Sequence, residues 1–220
     1  MKQTHTHALV SLGWFLATCM PAHAQNPLPK ITERDFQAAA RSSFQVNNQA
    51  EFDRLNDPTL AACNRSQDNP SAKEVDAIVK RELKSIRYPQ HGQLMGDWTK
   101  GKQWVEMTHG GRIGVPGFRD ADNPHHANGA NCYACHAIDP SFPQNGNMGP
   151  ELLNYGQIRG VSPEVIKYTY DKVFNAKSMN PCSLMPRYGG DNRLLTPDQV
   201  ADIVAFLLSP ESPVNQAPKK

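Results

Sequence analysis

The sequence predicts an all-α protein in which long loops join short helices. No stretch stands out for the strict alternation of apolar and polar residues that is typical of half-buried strands. Helix start signals recur instead, and apolar residues three and four positions apart follow each of them. Glycine and proline punctuate the segments in between. We expect three to four helices in the second part of the chain, after a mostly helical N-terminal extension.

Two helices are predicted in the extension. The segment ITERDFQAAARSSFQ is a candidate for the first. The segment NPSAKEVDAIVKRELKSIRYPQ predicts the second more strongly, because Ser71 is a plausible N-cap and Pro89 ends the pattern. Its apolar residues at helical spacing are Val75, Ile78, Val79 and Leu83. The polar stretch HGQLMGD then reads as a linker, so we place the extension at 25–95 and a domain at 96–220.

Three helices are predicted in that domain. The segment DWTKGKQWVEMTHG begins it. The two later helices share one start signal, since Ser162-Pro163 and Thr196-Pro197 each place an N-cap residue before a proline at the first helical position. Long loops separate these helices, so the domain buries little apolar surface for its length. We therefore expect something other than side chains to fill its centre.

The first 24 residues have the pattern of a secretory signal. Lys2 precedes the short apolar run ALVSLGWFLATCM, and the small residues of PAHA then suggest cleavage before Gln25. The run is shorter than the roughly 20 residues that span a bilayer. We expect a periplasmic protein with its signal peptide removed and no membrane span. Acylation at Cys19 is the alternative, but Thr18 before it fits a lipoprotein signal poorly.

The charge balance excludes one class of partner. The chain has 23 Lys and Arg against 21 Asp and Glu, for a formal charge of +2. Proteins that bind nucleic acid carry strongly basic patches or stripes. Nucleic acid is therefore not an expected partner.

Cys132, Cys135 and His136 form a tight cluster in NCYACHAID. Structural zinc sites use four ligands, typically in two pairs, and no second CxxC follows. A thioredoxin-like CxxC should lie in a βαβ unit, which the chain lacks. The motif CxxCH attaches haem c, because two thioethers fix one edge of the ring and the next histidine is carried beneath the iron. We predict one covalent haem c with His136 as its proximal ligand.

A methionine is a common sixth ligand in cytochromes c. The candidates are Met95, Met107, Met148, Met179 and Met185. The first two precede the attachment motif, and Met148 follows it too closely to reach around the ring. Met185 is favoured because Met-Pro in a loop before the last helix is a familiar ligand context. Met179 is the second choice, and a histidine or Cys182 the third.

The proximal histidine needs its other ring nitrogen fixed, usually by a backbone carbonyl. Pro150 in NMGPEL offers such a carbonyl. The competing interpretation is a plain Gly-Pro turn.

These segments together resemble class I cytochromes c and, within them, the SoxX family, the smaller cytochrome subunit of sulfur-oxidising SoxAX complexes. The resemblance spans roughly residues 96–215. The segments that carry it are GDWTKGKQW, NCYACHAI, NMGPELL, MPRYG and LLTPDQVADIVAFLLSPESPVN. The tail SPESPVN is the most specific part. The extension is similar to that of longer SoxX forms but contains no diagnostic motif.

The resemblance implies a class I cytochrome c fold and an electron-transfer role without catalytic residues of its own. SoxAX complexes act as L-cysteine S-thiosulfotransferases, which join thiosulfate oxidatively to a carrier-protein cysteine. The implied partners are a catalytic SoxA-type cytochrome in a heterodimer, a SoxYZ-type carrier protein and a downstream electron-accepting cytochrome. The alternatives are a free-standing cytochrome c shuttle and a haem-based ligand sensor with a weak sixth ligand.

Cys63 and Cys182 are the remaining pair of the exported chain. An oxidising compartment favours a disulfide between them, whereas a free Cys182 acting as thiol or ligand is the alternative. His125 and His126 are interpreted as solvated loop residues, with a metal or ligand role as the alternative. Four basic residues near the expected haem edge either steer an acidic partner or form a solvated rim: Lys172, Lys177, Arg187 and Arg193.

Overall fold

The structure is a computed structural model that describes residues 30–43, 56–107, 129–142, 144–189 and 195–216. Within these ranges the regular structure is helical, and no strand occurs, as predicted. The seven α-helices found there are α1 (Glu33–Ser43), α2 (Pro58–Arg65), α3 (Ala72–Leu83), α4 (Trp98–Glu106), α5 (Tyr155–Arg159), α6 (Pro163–Phe174) and α7 (Pro197–Leu208). Short 3₁₀ turns cover Cys132–Ala134, Ala176–Ser178 and Pro213–Gln216.

Helix α1 belongs to a compact unit over residues 1–43, and the other helices belong to a second unit over 44–220. At the start of α1, the Asp35 amide donates to the Thr32 hydroxyl, and that hydroxyl donates to the Asp35 carboxylate at 2.6 Å. The second unit includes α2 and α3 together with the predicted domain. The boundary at residue 95 stays a prediction of the sequence.

The helix starts use the chemistry that the sequence predicts. Ser71 and Thr196 form capping boxes with Glu74 and Gln199, and Ser162 accepts the Val165 amide. These hydrogen bonds give partners to backbone N–H groups of the first helical turn, which have no partner within the helix. Helix α2 was not predicted, yet it uses the same device, since the Asp57 carboxylate caps it directly before Pro58.

Helices α4 and α7 cross at very close range. A Cβ atom at Gly101 would lie 2.0 Å from the Asp202 carbonyl oxygen and 2.8 Å from the Phe206 Cβ, so the crossing requires glycine. Asp202 strengthens it, because its carboxylate accepts the Asp97 amide at 2.8 Å and the Trp104 indole N–H at 3.2 Å. Around the crossing lies the main core, whose fully buried members include Val105, Tyr170, Phe174, Val200, Ile203, Val204, Phe206, Leu208 and Val214.

The tail after α7 is tied down by Asn215, whose side chain is nearly fully buried. Its amide group donates to the carbonyls of Leu207 and Ser209 at 3.1 and 2.9 Å. Its oxygen accepts the Gly156 amide at 2.7 Å. One side chain thus satisfies the C-terminal end of α7 and the start of α5 together.

Helix α3 and the segment after it join α6 through polar contacts. The Tyr88 hydroxyl donates to the Asp171 carboxylate at 2.9 Å, and the Tyr170 hydroxyl donates to the Arg87 carbonyl at 2.8 Å. The Asn175 amide group donates to the Glu82 carboxylate at 2.8 Å. The later part of the predicted extension therefore packs as part of the second unit.

Across the described ranges, no helix combines the length and the apolar character needed to cross a bilayer. The predicted export signal and four residues interpreted from the sequence lie outside the described residues: Cys19, His125, His126 and Arg193. Their interpretations stay predictions.

Candidate functional site

The CxxCH segment folds as one tight turn. Asn131 precedes it in the left-handed region, at φ +46°. The amides of Cys135 and His136 then both donate to the Cys132 carbonyl, at 3.1 and 3.0 Å. Because of this turn, the side chains of Cys132, Cys135 and His136 all line one cavity.

The cavity has a volume of about 610 Å³, which is in the usual size range of cofactor sites. Its wall is mainly apolar and comes from α4, α5, α6, α7 and the loops between them. The apolar side chains that line it include Val105, Ile138, Leu152, Val173, Ile203 and Leu207. The sequence predicts a non-protein group at the centre of the domain, and this cavity offers space for one.

The His136 ring is fixed on one side by backbone. Its Nδ1 lies 2.7 Å from the Pro150 carbonyl oxygen, an atom that can only accept, so Nδ1 carries the proton and Nε2 is left for a metal. A Cβ at Gly149 would lie 2.2 Å from the His136 Cε1. Glycine at 149 therefore lets the ring lie against the chain, and the structure places Pro150 where the sequence predicts it.

Two of the five candidate methionines line the cavity, namely Met148 and Met185. Met148 is 69% exposed and adjoins Gly149, so it lies on the His136 side. Met185 packs partly buried against the core. Met179 follows the 3₁₀ turn after α6 and does not line the cavity. The structure thus brings Met185, and not Met179, to the same space as Cys132, Cys135 and His136.

The segment that contains Met185 is linked covalently to α2. Cys63 and Cys182 form a disulfide, with Cα atoms 5.5 Å apart and a sequence separation of 119. Asp68 lies close to both sulfurs, but the disulfide leaves no thiolate there for a metal. The alternative of a free Cys182 as thiol or iron ligand does not agree with this bond.

Arg187 is part of a partly buried ion-pair network. Its Nε and Nη2 donate to the two carboxylate oxygens of Glu82 at 2.8 and 2.6 Å, and its Nη1 donates to Asp57 at 2.6 Å. The Arg187 side chain is only 11% exposed. Burial alone would raise the pKa of Glu82, but hydrogen bonds from Arg187, Asn175 and Thr59 lower it to about 2.

The interpretation of Arg187 as a steering residue on an exposed rim is therefore wrong. It is wrong for Lys177 as well, which is 7% exposed and donates to the Ser183 carbonyl. From the sequence, both residues are expected near the haem edge because of their positions in the chain. Their hydrogen-bond partners depend on the tertiary fold and cannot be predicted in this way. Lys172 does line the cavity and is half-buried.

Sequence reasoning also missed Glu82 and Asp57. One signal was available, since Glu82 follows Ile78 by one helical turn and so shares the buried face of α3. A charged residue on a buried face needs a partner. The identity of that partner, Arg187, depends on the tertiary fold.

The Cys132 thiol lies in surroundings that disfavour its thiolate form. The protein surrounds its sulfur although the residue keeps some exposed surface. This burial, with the nearby Cys135, raises the pKa of the Cys132 thiol to about 12. Dithiol exchange needs a thiolate at neutral pH, so these surroundings do not favour it.

The donor set of the cavity fits a haem c. Two cysteines can form thioethers, one imidazole has a nitrogen left for iron, one methionine sulfur lines the same space, and the remaining wall is apolar.

Comparisons with known proteins agree with this chemistry. A family model described as "Cytochrome c" matches residues 125–210, which include the attachment turn, Met185 and all of α7. A protein of Aquifex aeolicus (strain VF5) named "Uncharacterized lipoprotein" is 38% identical over 158 residues. That similarity covers 71% of this chain and 70% of the relative.

Proposed function

Residues 125–210 form a cytochrome c domain, and from this premise we propose that the chain is the electron-transfer subunit of a thiosulfate-oxidising L-cysteine S-thiosulfotransferase. A cytochrome c binds haem covalently and exchanges electrons with partner proteins. The identity of the partners and of the overall reaction is the proposed part. The convergence of Cys132, Cys135, His136 and Met185 on one cavity supports the electron-transfer part of the proposal, and the resemblance of residues 96–215 to the SoxX family supports the thiosulfate part.

Each of these residues has a proposed role toward a single haem c. Cys132 and Cys135 would hold it covalently, and His136 and Met185 would ligate its iron. The Pro150 carbonyl orients the imidazole, and the apolar wall keeps water away. When bound, the haem supplies a one-electron redox centre whose potential is raised by a methionine ligand. An electron acceptor needs such a potential.

Two protein ligands leave no coordination position for a substrate, so we assign the bond-forming chemistry to a SoxA-type partner. In the proposed reaction, a bond forms between the carrier cysteine sulfur and the outer sulfur of thiosulfate. The thiol loses its proton, and two electrons are released. This chain would pass them one at a time to a downstream cytochrome.

The tail that carries the resemblance most specifically also supports the proposal structurally. SPESPVN contains Asn215, which joins the ends of α5 and α7 through its buried amide. Asn215 therefore stabilises the fold, and the sequence resemblance of α7 and the tail to the SoxX family is the reason that we favour that family over other cytochromes c.

We propose a periplasmic location, reached through the predicted signal. The relative from Aquifex aeolicus is named a lipoprotein, which gives weight to the alternative of acylation at Cys19. Intact-mass analysis of the exported protein distinguishes the two. A free N-terminus at Gln25 agrees with cleavage, and an acylated Cys19 would replace the soluble form by an anchored one.

The function is tested by following haem reduction after thiosulfate is added to this chain, a SoxA-type cytochrome and a reduced SoxYZ-type carrier. We expect reduction only when all components are present, and none when the carrier cysteine is replaced by serine. Reduction without the SoxA-type cytochrome would contradict the assigned division of labour. A chain that stays oxidised in the full mixture but exchanges electrons with membrane cytochrome complexes would instead be a free-standing shuttle.

A further inference from the structure

The loop that carries Met185 is anchored at both of its ends to the same region. We define the ligand loop as residues 182–187. Its first residue, Cys182, is bonded to Cys63 in α2. Its last residue, Arg187, is paired with Glu82 in α3 and with Asp57, the N-cap of α2.

The Arg187 anchor is rigid because its partners are themselves held. Glu82 accepts from Asn175 at 2.8 Å and from the Thr59 hydroxyl at 2.5 Å in addition to Arg187. The Asp57 carboxylate also caps α2. Planar guanidinium groups that bind carboxylates through two parallel hydrogen bonds fix direction as well as distance. Arg187 therefore sets both the position and the orientation of the chain two residues after Met185.

The middle of the ligand loop is held less firmly than its ends. Leu184 is 80% exposed, and the Met185 amide donates to the Ser183 hydroxyl within the loop itself, at 3.2 Å. Lys177 donates to the Ser183 carbonyl and gives one further tie, to the turn after α6. The placement of Met185 thus depends largely on what holds Cys182 and Arg187.

We propose that α2 and α3 act as a clamp that positions Met185 at the haem iron, with Arg187, Glu82 and the Cys63–Cys182 disulfide as its positioning elements. The inference rests on the proposed role of Met185 as the sixth ligand. It gives the later part of the extension a function in the redox site, although none of its residues ligates the iron. Release of the clamp would let the loop move and make the iron accessible to small ligands.

The test compares variants that release one end of the loop or the other. Glu82→Gln weakens the Arg187 end, and the double change Cys63→Ser, Cys182→Ser releases the other. Two readouts follow the methionine ligand, namely its long-wavelength absorption band in the ferric protein and the affinity of the reduced protein for carbon monoxide. We expect each release to weaken the band and to raise the carbon monoxide affinity by roughly 5- to 150-fold, the usual range of coupling between sites.

Glu74→Gln is the matched control. Glu74 lies on the same helix and also pairs with an arginine, since Arg65 donates to it at 2.9 Å, but this pair is exposed and does not involve the ligand loop. Glutamine keeps the capping box at this position. Both readouts should match the wild type. Arg187→Lys, which keeps the charge and loses the two-pronged contact, should behave like Glu82→Gln.

The outcomes separate the clamp from the proposed function. Wild-type protein that lacks the band or binds carbon monoxide readily would remove Met185 as the ligand and overturn both ideas. A wild type with the band, combined with Glu82→Gln and Arg187→Lys variants that match it in both readouts, would overturn the clamp alone. If the cysteine variant does not fold, these two single variants decide the question, with far-ultraviolet circular dichroism confirming their fold.

Discussion

The Nδ1 atom of His136 lies 2.7 Å from the carbonyl oxygen of Pro150. The carbonyl fixes the tautomer of the ring, and it also increases the electron density on the nitrogen that faces the iron. The short segment between these residues must therefore hold its shape for the proximal ligand to be correctly placed.

Gly149→Ala should disturb this contact. The new Cβ would lie 2.2 Å from the His136 Cε1, so the ring must turn or the segment must shift. We expect a loss of about 1–3 kcal/mol in the free energy of unfolding, typical of overpacking, and an altered haem absorption spectrum. Chemical denaturation and absorption spectroscopy measure the two effects. Gly92→Ala meets nothing within 4 Å of the new Cβ but lies at φ +75°, so it should lower stability through backbone strain and leave the spectrum unchanged.

The stability of the fold should decrease in acid because of Glu82. Its pKa is about 2 in the folded protein against an ordinary value of 4.5. The carboxylate therefore contributes its full stabilisation above pH 4.5, and this contribution is lost as the pH falls toward 2. The expected loss is on the order of 3 kcal/mol. Denaturation curves measured across this pH range should become less pH-dependent in Glu82→Gln, and an unchanged slope would contradict the assignment.

Removal of the disulfide should destabilise the second unit. Cys63 and Cys182 close a loop with a sequence separation of 119. Constraint of the unfolded chain by a loop of this length is worth about 4–5 kcal/mol in the chain-entropy model. We expect the Cys63→Ser, Cys182→Ser protein to unfold at a clearly lower guanidinium concentration. Wild-type protein with the disulfide intact and wild-type protein with the disulfide reduced should differ in the same way. Equal midpoints of guanidinium denaturation for the two would be inconsistent with a stabilising bond.

Gly101→Ala should weaken the crossing of α4 and α7. The added methyl group would lie 2.0 Å from a backbone oxygen of α7, which cannot move as a side chain can. We expect a cost of about 3 kcal/mol, at the upper end for overpacking. The exposed neighbour Lys100 on the same helix is the control, since Lys100→Ala should change the midpoint of denaturation little.

The sequence predicts helices correctly where a capping residue followed by proline marks the start of the helix. Ser162-Pro163 and Thr196-Pro197 mark the starts of α6 and α7, and the structure begins both helices at those prolines. Asp57-Pro58 is the same signal and was overlooked in a polar segment. Helix α5 has no such signal, because Asn154 precedes it in the left-handed region without a side-chain cap.

The sequence predicts the haem attachment residues of the site, but it does not predict the contacts that hold the ligand loop in place. The spacing of Cys132, Cys135 and His136 follows from the chemistry of attachment, so a single short motif identifies it. The pairing of Glu82 with Arg187 joins residues 105 positions apart. No local pattern encodes such a pair, and only the packing of α3 beside the ligand loop reveals that Arg187 is a support and not an exposed rim charge.

The central claim is that His136 and Met185 close both axial positions of one covalent haem, and substitution of the two candidate methionines tests it most directly. Leucine replaces methionine with little change in volume, so Met185→Leu and Met179→Leu form a matched pair. We predict that wild type and Met179→Leu show the methionine band in the ferric state and bind carbon monoxide only weakly when reduced. Met185→Leu should lose the band, bind carbon monoxide and have a lower reduction potential. Loss of the band in Met179→Leu, with Met185→Leu unaffected, would contradict the account.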